Sequence, residues 1–179
     1  MKIKKKILLP VLGAFLLILY SFCYGFGYVP YFLTESQKDD IMQGYLDTHS
    51  YGEKWFYTAD IVNISRKITR PDEVLLSVYL HEDTYQIKDG KLWNGGGGED
   101  FLLIRAKITD SGMEYLDYES PCEGAALIGD ITEMFLPVSP AGWLRLEGHV
   151  FRLNYLHDNN SQQAEEYYQL PYTGKFYHS

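Results

Sequence analysis

The hydrophobic pattern divides the chain into an apolar head and a patterned remainder. Residues Ile7 to Leu33 form an uncharged run of 27 residues. About 20 mostly apolar residues suffice to cross a bilayer core as a helix. After it, Ile41, Met42, Tyr45 and Leu46 recur at helical spacing. Thr34 and Gln37 form a capping box, and Glu35 suits the positive helix end. The spacing predicts a helix from Thr34 to near Asp47–Ser50.

Strand signals follow. Lys54 to Ile68 is rich in aromatic and β-branched residues, and Arg70-Pro71-Asp72 reads as a turn. Val74, Leu76, Val78 and Leu80 alternate with the period of a strand that buries one face. Asp89-Gly90, between Tyr85-Gln86-Ile87 and Leu92-Trp93, is a strong hairpin signal. Residues 101–109 predict a third long strand, and Asp110-Ser111-Gly112 turns it into a fourth, Met113 to Ser120. The last third reads helical. Ala125 to Phe135 carries a broad apolar face, and Ser139-Pro140 opens a second helix through Trp143, Leu146, Val150 and Leu153. His157 to Asn160 reads as a polar break, Ser161 to Leu170 as a short helix, and the last nine residues as a fraying end.

Helix, antiparallel meander, then helices predicts the α+β class. The expected architecture is an N-terminal transmembrane helix, then a helix packed on a curved antiparallel sheet with C-terminal helices. Cystatin-like or nuclear-transport-factor-like domains supply the analogy. Two units are expected: residues 1–33, cytoplasmic lysines and anchor, and residues 34–179, one extracytoplasmic α+β domain of a size that supports a core.

Charge gives the apolar head a direction. Lys2, Lys4, Lys5 and Lys6 precede it, and all 24 acidic residues follow it. Positive flanks stay cytoplasmic, so the lipid bilayer is the expected partner of residues 7–33, in a single pass with the C-terminal domain outside. Pro10 is tolerated in a first helical turn, and Tyr20, Tyr24, Tyr28 and Tyr31 suit the headgroup level. A cleaved signal would need small residues at the cut; Cys23 and Gly25 are flanked by Phe22, Tyr24 and Phe26. Lipidation at Cys23 would want a small residue where Phe22 stands. An uncleaved cell-membrane anchor is therefore favoured.

The remainder holds 12 basic residues (the 16 less the four N-terminal lysines) against 24 acidic, a net of −12. That balance argues against nucleic acid as a partner, because phosphate binding needs the opposite sign. The two cysteines, Cys23 and Cys122, fall in different units, which argues against an intrachain disulfide.

Several segments carry a resemblance. Glu53-Lys54-Trp55-Phe56, Val78-Tyr79-Leu80, the stretch with Pro121, Glu123-Gly124, Leu127, Asp130-Ile131 and Phe135, and Ala164-Glu165-Glu166-Tyr167-Tyr168 together resemble a group of small exported or membrane-anchored proteins of Gram-positive bacteria. The resemblance implies an extracytoplasmic location. It implies no activity and transfers no functional residue.

Candidate chemistry is sparse. Asn94-Gly95-Gly96-Gly97-Gly98 lacks the lysine and Ser/Thr of a phosphate loop and is followed by Glu99-Asp100, so it reads as a mobile connector after the hairpin. In His81-Glu82-Asp83 only His81 and Asp83 share a strand face. That is two ligands where zinc uses three or four, so a solvated strand end is favoured. His149 and His157 are eight residues apart and share a helix face, with no further ligand in sight. Cys122 reads as a buried small residue, Ser111 as a turn residue, and the 12 tyrosines beyond Leu33 as filling sheet faces. The sequence therefore assigns no catalytic, cofactor-binding or metal-ligating residue. The expected function is non-catalytic binding of a protein or small-molecule ligand. Two alternatives stay open. A cell-envelope hydrolase would show a deep pocket with close carboxylates or a Cys122–histidine pair. A protective, immunity-type protein neutralising a toxin or host factor would show an exposed aromatic patch ringed by acid.

Overall fold

A computed structural model describes residues 5–24, 27–49, 54–121, 132–135 and 153–176, with side chains in the first of these from Pro10 to Ser21. The elements are α1 (Lys5–Tyr24), β1 (Tyr28–Pro30), α2 (Glu35–Thr48), β2 (Trp55–Lys67), β3 (Arg70–Lys88), β4 (Lys91–Thr109), β5 (Gly112–Glu119), α3 (Leu153–Tyr168) and β6 (Tyr172–Phe176). They make an α+β fold around one mostly antiparallel six-stranded sheet. Its order is β1-β2-β3-β4-β5, with β6 added parallel to the start of β4.

The centre of the sheet is one long hairpin, β3 and β4, each of 19 residues. Its turn is Asp89-Gly90, with φ of 53° and 69°, the primed geometry that matches strand twist. Pairing runs unbroken from Glu73↔Lys107 to Lys88↔Lys91 except for one bulge at Thr84/Tyr85. Two expectations change here. The glycine run is not a connector but part of β4, paired with Glu82, Asp83 and Thr84. His81-Glu82-Asp83 is not a strand end but lies within β3. The turn before β3 also shifts, to Ile68-Thr69, and Arg70 to Asp72 already belong to the strand.

The sheet is covered on both faces. Thr34 caps α2: its hydroxyl accepts from the Gln37 backbone N–H, and the Gln37 side chain accepts from the Thr34 N–H. Ile41, Met42 and Tyr45 of α2 then join Val74, Leu76, Val78, Leu80, Leu102, Ile104 and Ala106 in one core, with Leu33 at its rim. On the other face, Leu75, Tyr79, Phe101 and Leu103 pack with Phe135 and Leu156. Phe56, Tyr85 and Leu92 pack with Ala164 of α3. Every residue from Val74 to His81 is consequently buried, and the expected half-buried strand is corrected to a central strand buried on both sides. The positions between the alternating set are themselves Leu75, Ser77, Tyr79 and His81, and Met134, Phe135 and, from α3, Leu156 pack on that face.

Before Thr34, β1 pairs with β2 and Leu33 joins the α2-side core. Two further differences concern the C-terminal part. His157 to Asn160 is not a break, because α3 runs continuously through it. Residues 172–176 do not fray: Leu92 N–H bonds to the Pro171 carbonyl at 2.9 Å and β6 joins the sheet. The predicted helices over 125–135 and 140–153 fall largely outside the described residues, where 132–135 are helical. In α1 the large apolar side chains Val11, Leu12 and Phe15 to Leu19 are 48–69% exposed. Among the described residues no helix is long and apolar enough to cross a membrane.

Two-sided burial has a direct consequence. Leu75→Ala and Leu76→Ala should each destabilise by about 2–5 kcal/mol, because each leaves a cavity in a packed layer. Urea unfolding measures both. A loss under about 0.5 kcal/mol for Leu75→Ala would mean that the α3 face is not packed.

Candidate functional site

Strand periodicity puts Leu75, Ser77, Tyr79, His81, Asp83 and Tyr85 on the α3 side of β3. Toward the hairpin end this face turns from apolar to polar. α3 presents Leu156, Asn160 and Ala164 to it at intervals of four, all buried, with His157 one position along. The result is a polar cluster beneath a helix, built from His81 and Asp83 of β3, Asn94 of β4, His157 and Asn160 of α3, and Tyr172 of β6.

Asp83 is its hub. Only 2% of it is exposed, and a buried carboxylate is tolerated only when its oxygens are well served. Asn94 Nδ2 donates to Oδ1 at 2.8 Å, and Asn160 Nδ2 donates to Oδ2 at 3.0 Å. His157 Nδ1 lies 3.1 Å from Oδ2, and His157 Nε2 lies 3.1 Å from the Tyr172 hydroxyl. His81 Nε2 is 3.0 Å from Oδ2 as a charge contact. Its angle is not that of a directed hydrogen bond, and among the described residues both buried ring nitrogens of His81 lack a hydrogen-bond partner. The supports are themselves held. Thr58 Oγ1 donates to Asn160 Oδ1 at 2.7 Å, and Asn160 also donates to the His81 carbonyl at 3.0 Å. Gly96 N–H donates to Asn94 Oδ1 at 2.8 Å, which fixes the orientation of that amide.

The glycine run exists for this site. Gly97 pairs directly with Asp83. A Cβ there would sit 2.2 Å from the Glu82 carbonyl oxygen and 2.6 Å from Asp83 Oδ1. Gly96 holds φ at +128°, a conformation that L side chains rarely adopt. The bulge beside it brings Asn94 round to Asp83.

Electrostatics follow the geometry. The contact with Asp83 raises the His81 pKa above its ordinary value, burial opposing, with the charges of Glu99 and Glu82 adding to the rise. Burial pushes Asp83 upward, but the close contact with His81 and the hydrogen bonds from Asn160 and Asn94 outweigh it, and its carboxyl ends below the usual range. Burial, helped by the charge of Asp83, raises the phenol pKa of Tyr85 and Tyr172. The hydroxyl that touches the cluster is therefore a poor nucleophile. What the cluster does offer is ligand atoms: one each from His81, Asp83 and His157, all within 4.8 Å of one another.

Of the residues weighed on sequence, His81 and Asp83 do share a face, and Glu82 points to the other. His157 joins them, while Cys122 and His149 lie outside the described residues. Ser111 sits in the β4–β5 turn. Tyr45, Tyr79 and Tyr85 are buried in the sheet layers, and Tyr167 is 61% exposed. Asn94, Asn160 and Tyr172 went unnoticed. The signal for Asn160 was the spacing of Leu156, Asn160 and Ala164. Surface depressions among the described residues lie elsewhere. One of about 560 Å³ is flanked by Arg70, Arg105, Glu73 and Glu119. Two of about 500 and 390 Å³ adjoin along β2 and α3, sharing Tyr57, Gln163 and Glu166.

No family model, curated protein or solved structure matches the chain.

Two outcomes test this geometry. Gly97→Ala should destabilise by more than about 2 kcal/mol, since backbone must move, whereas Gly98→Ala, with open space around its Cβ position, should cost under about 1 kcal/mol. Equal effects in thermal unfolding would contradict the close approach at Asp83. The second outcome concerns pH. The folded-state pKa of His81 is raised, so the stability it contributes is complete below its ordinary 6.5 and lost as pH rises through the raised value. That of Asp83 is lowered, so its contribution is present above the ordinary 3.8 and lost as pH falls through the lowered value. With a chelator present, His81→Gln should therefore cost more stability at about pH 5.5 than at about pH 9. A cost independent of pH would remove the ionic contact.

Proposed function

We propose that the chain is a single-pass membrane protein, with its N-terminus cytoplasmic and its α+β domain held outside as a non-catalytic binding module. The observation that carries the anchor is α1. Phe15 to Leu19, five consecutive large apolar residues, are exposed around a full helical turn. An apolar surface of this kind normally meets a membrane or a partner. The uncharged part of α1, Ile7 to Tyr24, is 18 residues. As a helix it is about 27 Å long, short of a hydrocarbon core of about 30 Å, so a crossing rests on local thinning of the bilayer or on residues beyond the described helix. Four lysines precede it, and the positive-inside rule keeps such a flank cytoplasmic. In this reading Tyr28 to Leu33 belong to the outer domain.

The order α2-β2-β3-β4-β5, one helix before a four-stranded meander, supports a cystatin-like or nuclear-transport-factor-like arrangement. The binding role draws on the furrow between β2 and α3. It carries Trp55, Phe56, Tyr57 and Tyr167 with Lys54 and Glu166, and the Lys54 ammonium lies 4.9 Å from the Tyr167 ring. Tyr167 is exposed there and Trp55 and Tyr57 are half-buried, and aromatic rings with mixed charge give contact area at low entropic cost.

Protease added to intact cells tests the topology. Residues 28–179 should be digested while the lysine tail stays protected, and alkaline carbonate should leave the full-length chain in the membrane fraction. Protection of the large domain would reverse the orientation. A carbonate-soluble chain lacking residues 1–24 would replace the anchor with a released protein.

A further inference from the structure

We infer that His81 Nε2, Asp83 Oδ2 and His157 Nδ1 together bind one divalent first-row transition ion, with Zn²⁺ as the fitting case. The inference is independent of the membrane reading. Tetrahedral zinc with bonds of about 2.0–2.1 Å holds its ligand atoms about 3.4 Å apart. Asp83 Oδ2 already lies 3.0 Å from His81 Nε2 and 3.1 Å from His157 Nδ1, and the three donors sit within 4.8 Å of one another. Two imidazoles and one carboxylate are the donor set of zinc or iron, not of calcium or magnesium, which take oxygen alone.

Hydrogen bonding by itself leaves the cluster incomplete. His81 is nine-tenths buried, yet among the described residues neither of its ring nitrogens has a directed hydrogen bond. Buried polar atoms are rarely left so. An ion on Nε2 supplies the missing partner. The outer contacts also suit ligation, because metal-bound histidines are oriented through their second nitrogen. His157 Nε2 meets the Tyr172 hydroxyl at 3.1 Å, and His81 Nδ1 faces Glu99 Oε1 at 3.9 Å. Glu99 is in turn held by the Tyr79 hydroxyl at 2.7 Å. Asn94 takes Oδ1, and Oδ2, which also accepts from Asn160, is the oxygen turned to both imidazoles. Three protein ligands leave one tetrahedral position for water.

The ligands come from β3 and α3, elements whose members here are 74 residues apart in sequence. An ion would clamp the helix to the sheet, and its binding free energy would add to folding.

Zn²⁺ titrated into the chelator-treated, detergent-purified full chain tests this by calorimetry. We expect one ion per chain at micromolar affinity or tighter and a raised Tm. His157→Gln should weaken binding about 100-fold or more with circular dichroism unchanged, and His49→Gln, on the α2 side, should leave it unaltered. Should His157→Gln not fold, X-ray absorption of the zinc-loaded wild type decides, and it should show two imidazoles in the ligand shell. Failure to bind Zn²⁺ at about 100 μM, equal binding by His157→Gln and wild type, or a shell without imidazole would each overturn the site.

Discussion

A single buried carboxylate organises one half of this molecule. Asp83 lies beneath α3 with almost no exposure, and water cannot solvate it there. Removing an ion from water costs several kcal/mol unless partners replace the solvent. The chain supplies them from four places: His81 on the same strand, Asn94 on the neighbouring strand, and His157 and Asn160 on the covering helix. Each supplier needs its own support, which brings in Thr58, Gly96 and Tyr172. α3, the bulged strand β4 and β6 each contribute a member of the network around this one group.

The two faces of the sheet are held by different physics. The α2 face is apolar, from Ile41 to Ala106, and its cohesion is area removed from water. The α3 face begins the same way at Leu75 and Tyr79 but ends in directed polar contacts around Asp83. Apolar packing tolerates sliding by fractions of an ångström, whereas a network of hydrogen bonds specifies one register. Gly97 opposite Asp83 belongs to the same requirement, because a side chain there would displace the carboxylate.

Local signals made much of the framework legible. Thr34 and Gln37 mark the start of α2, Asp89-Gly90 marks the long hairpin, and the alternation from Val74 to Leu80 marks the α2-facing core. What failed were the inferences in which a glycine run stood for a connector or a polar stretch for a solvated end or a break. The glycine run read as a connector because its reason is Asp83 on another strand. His157 to Asn160 read as a break because their partners are some 75 positions away. Leu75 and Tyr79 read as one wet face because nothing local announces that a distant helix will cover them. The third donor to the His81–Asp83 pair was likewise invisible without the helix–sheet pairing that delivers it.

The claim that Asp83 couples α3 to the sheet is open to one direct measurement. A double-mutant cycle of Asp83→Asn and Asn160→Ala, followed by urea unfolding with a chelator present, isolates the interaction between strand and helix from any contribution of a bound ion. A coupling energy of at least about 1 kcal/mol is expected for a buried, charge-assisted hydrogen bond. Additive losses, with no coupling, would mean that α3 is held by Leu156 and Ala164 alone and that the carboxylate is a passenger in the interface.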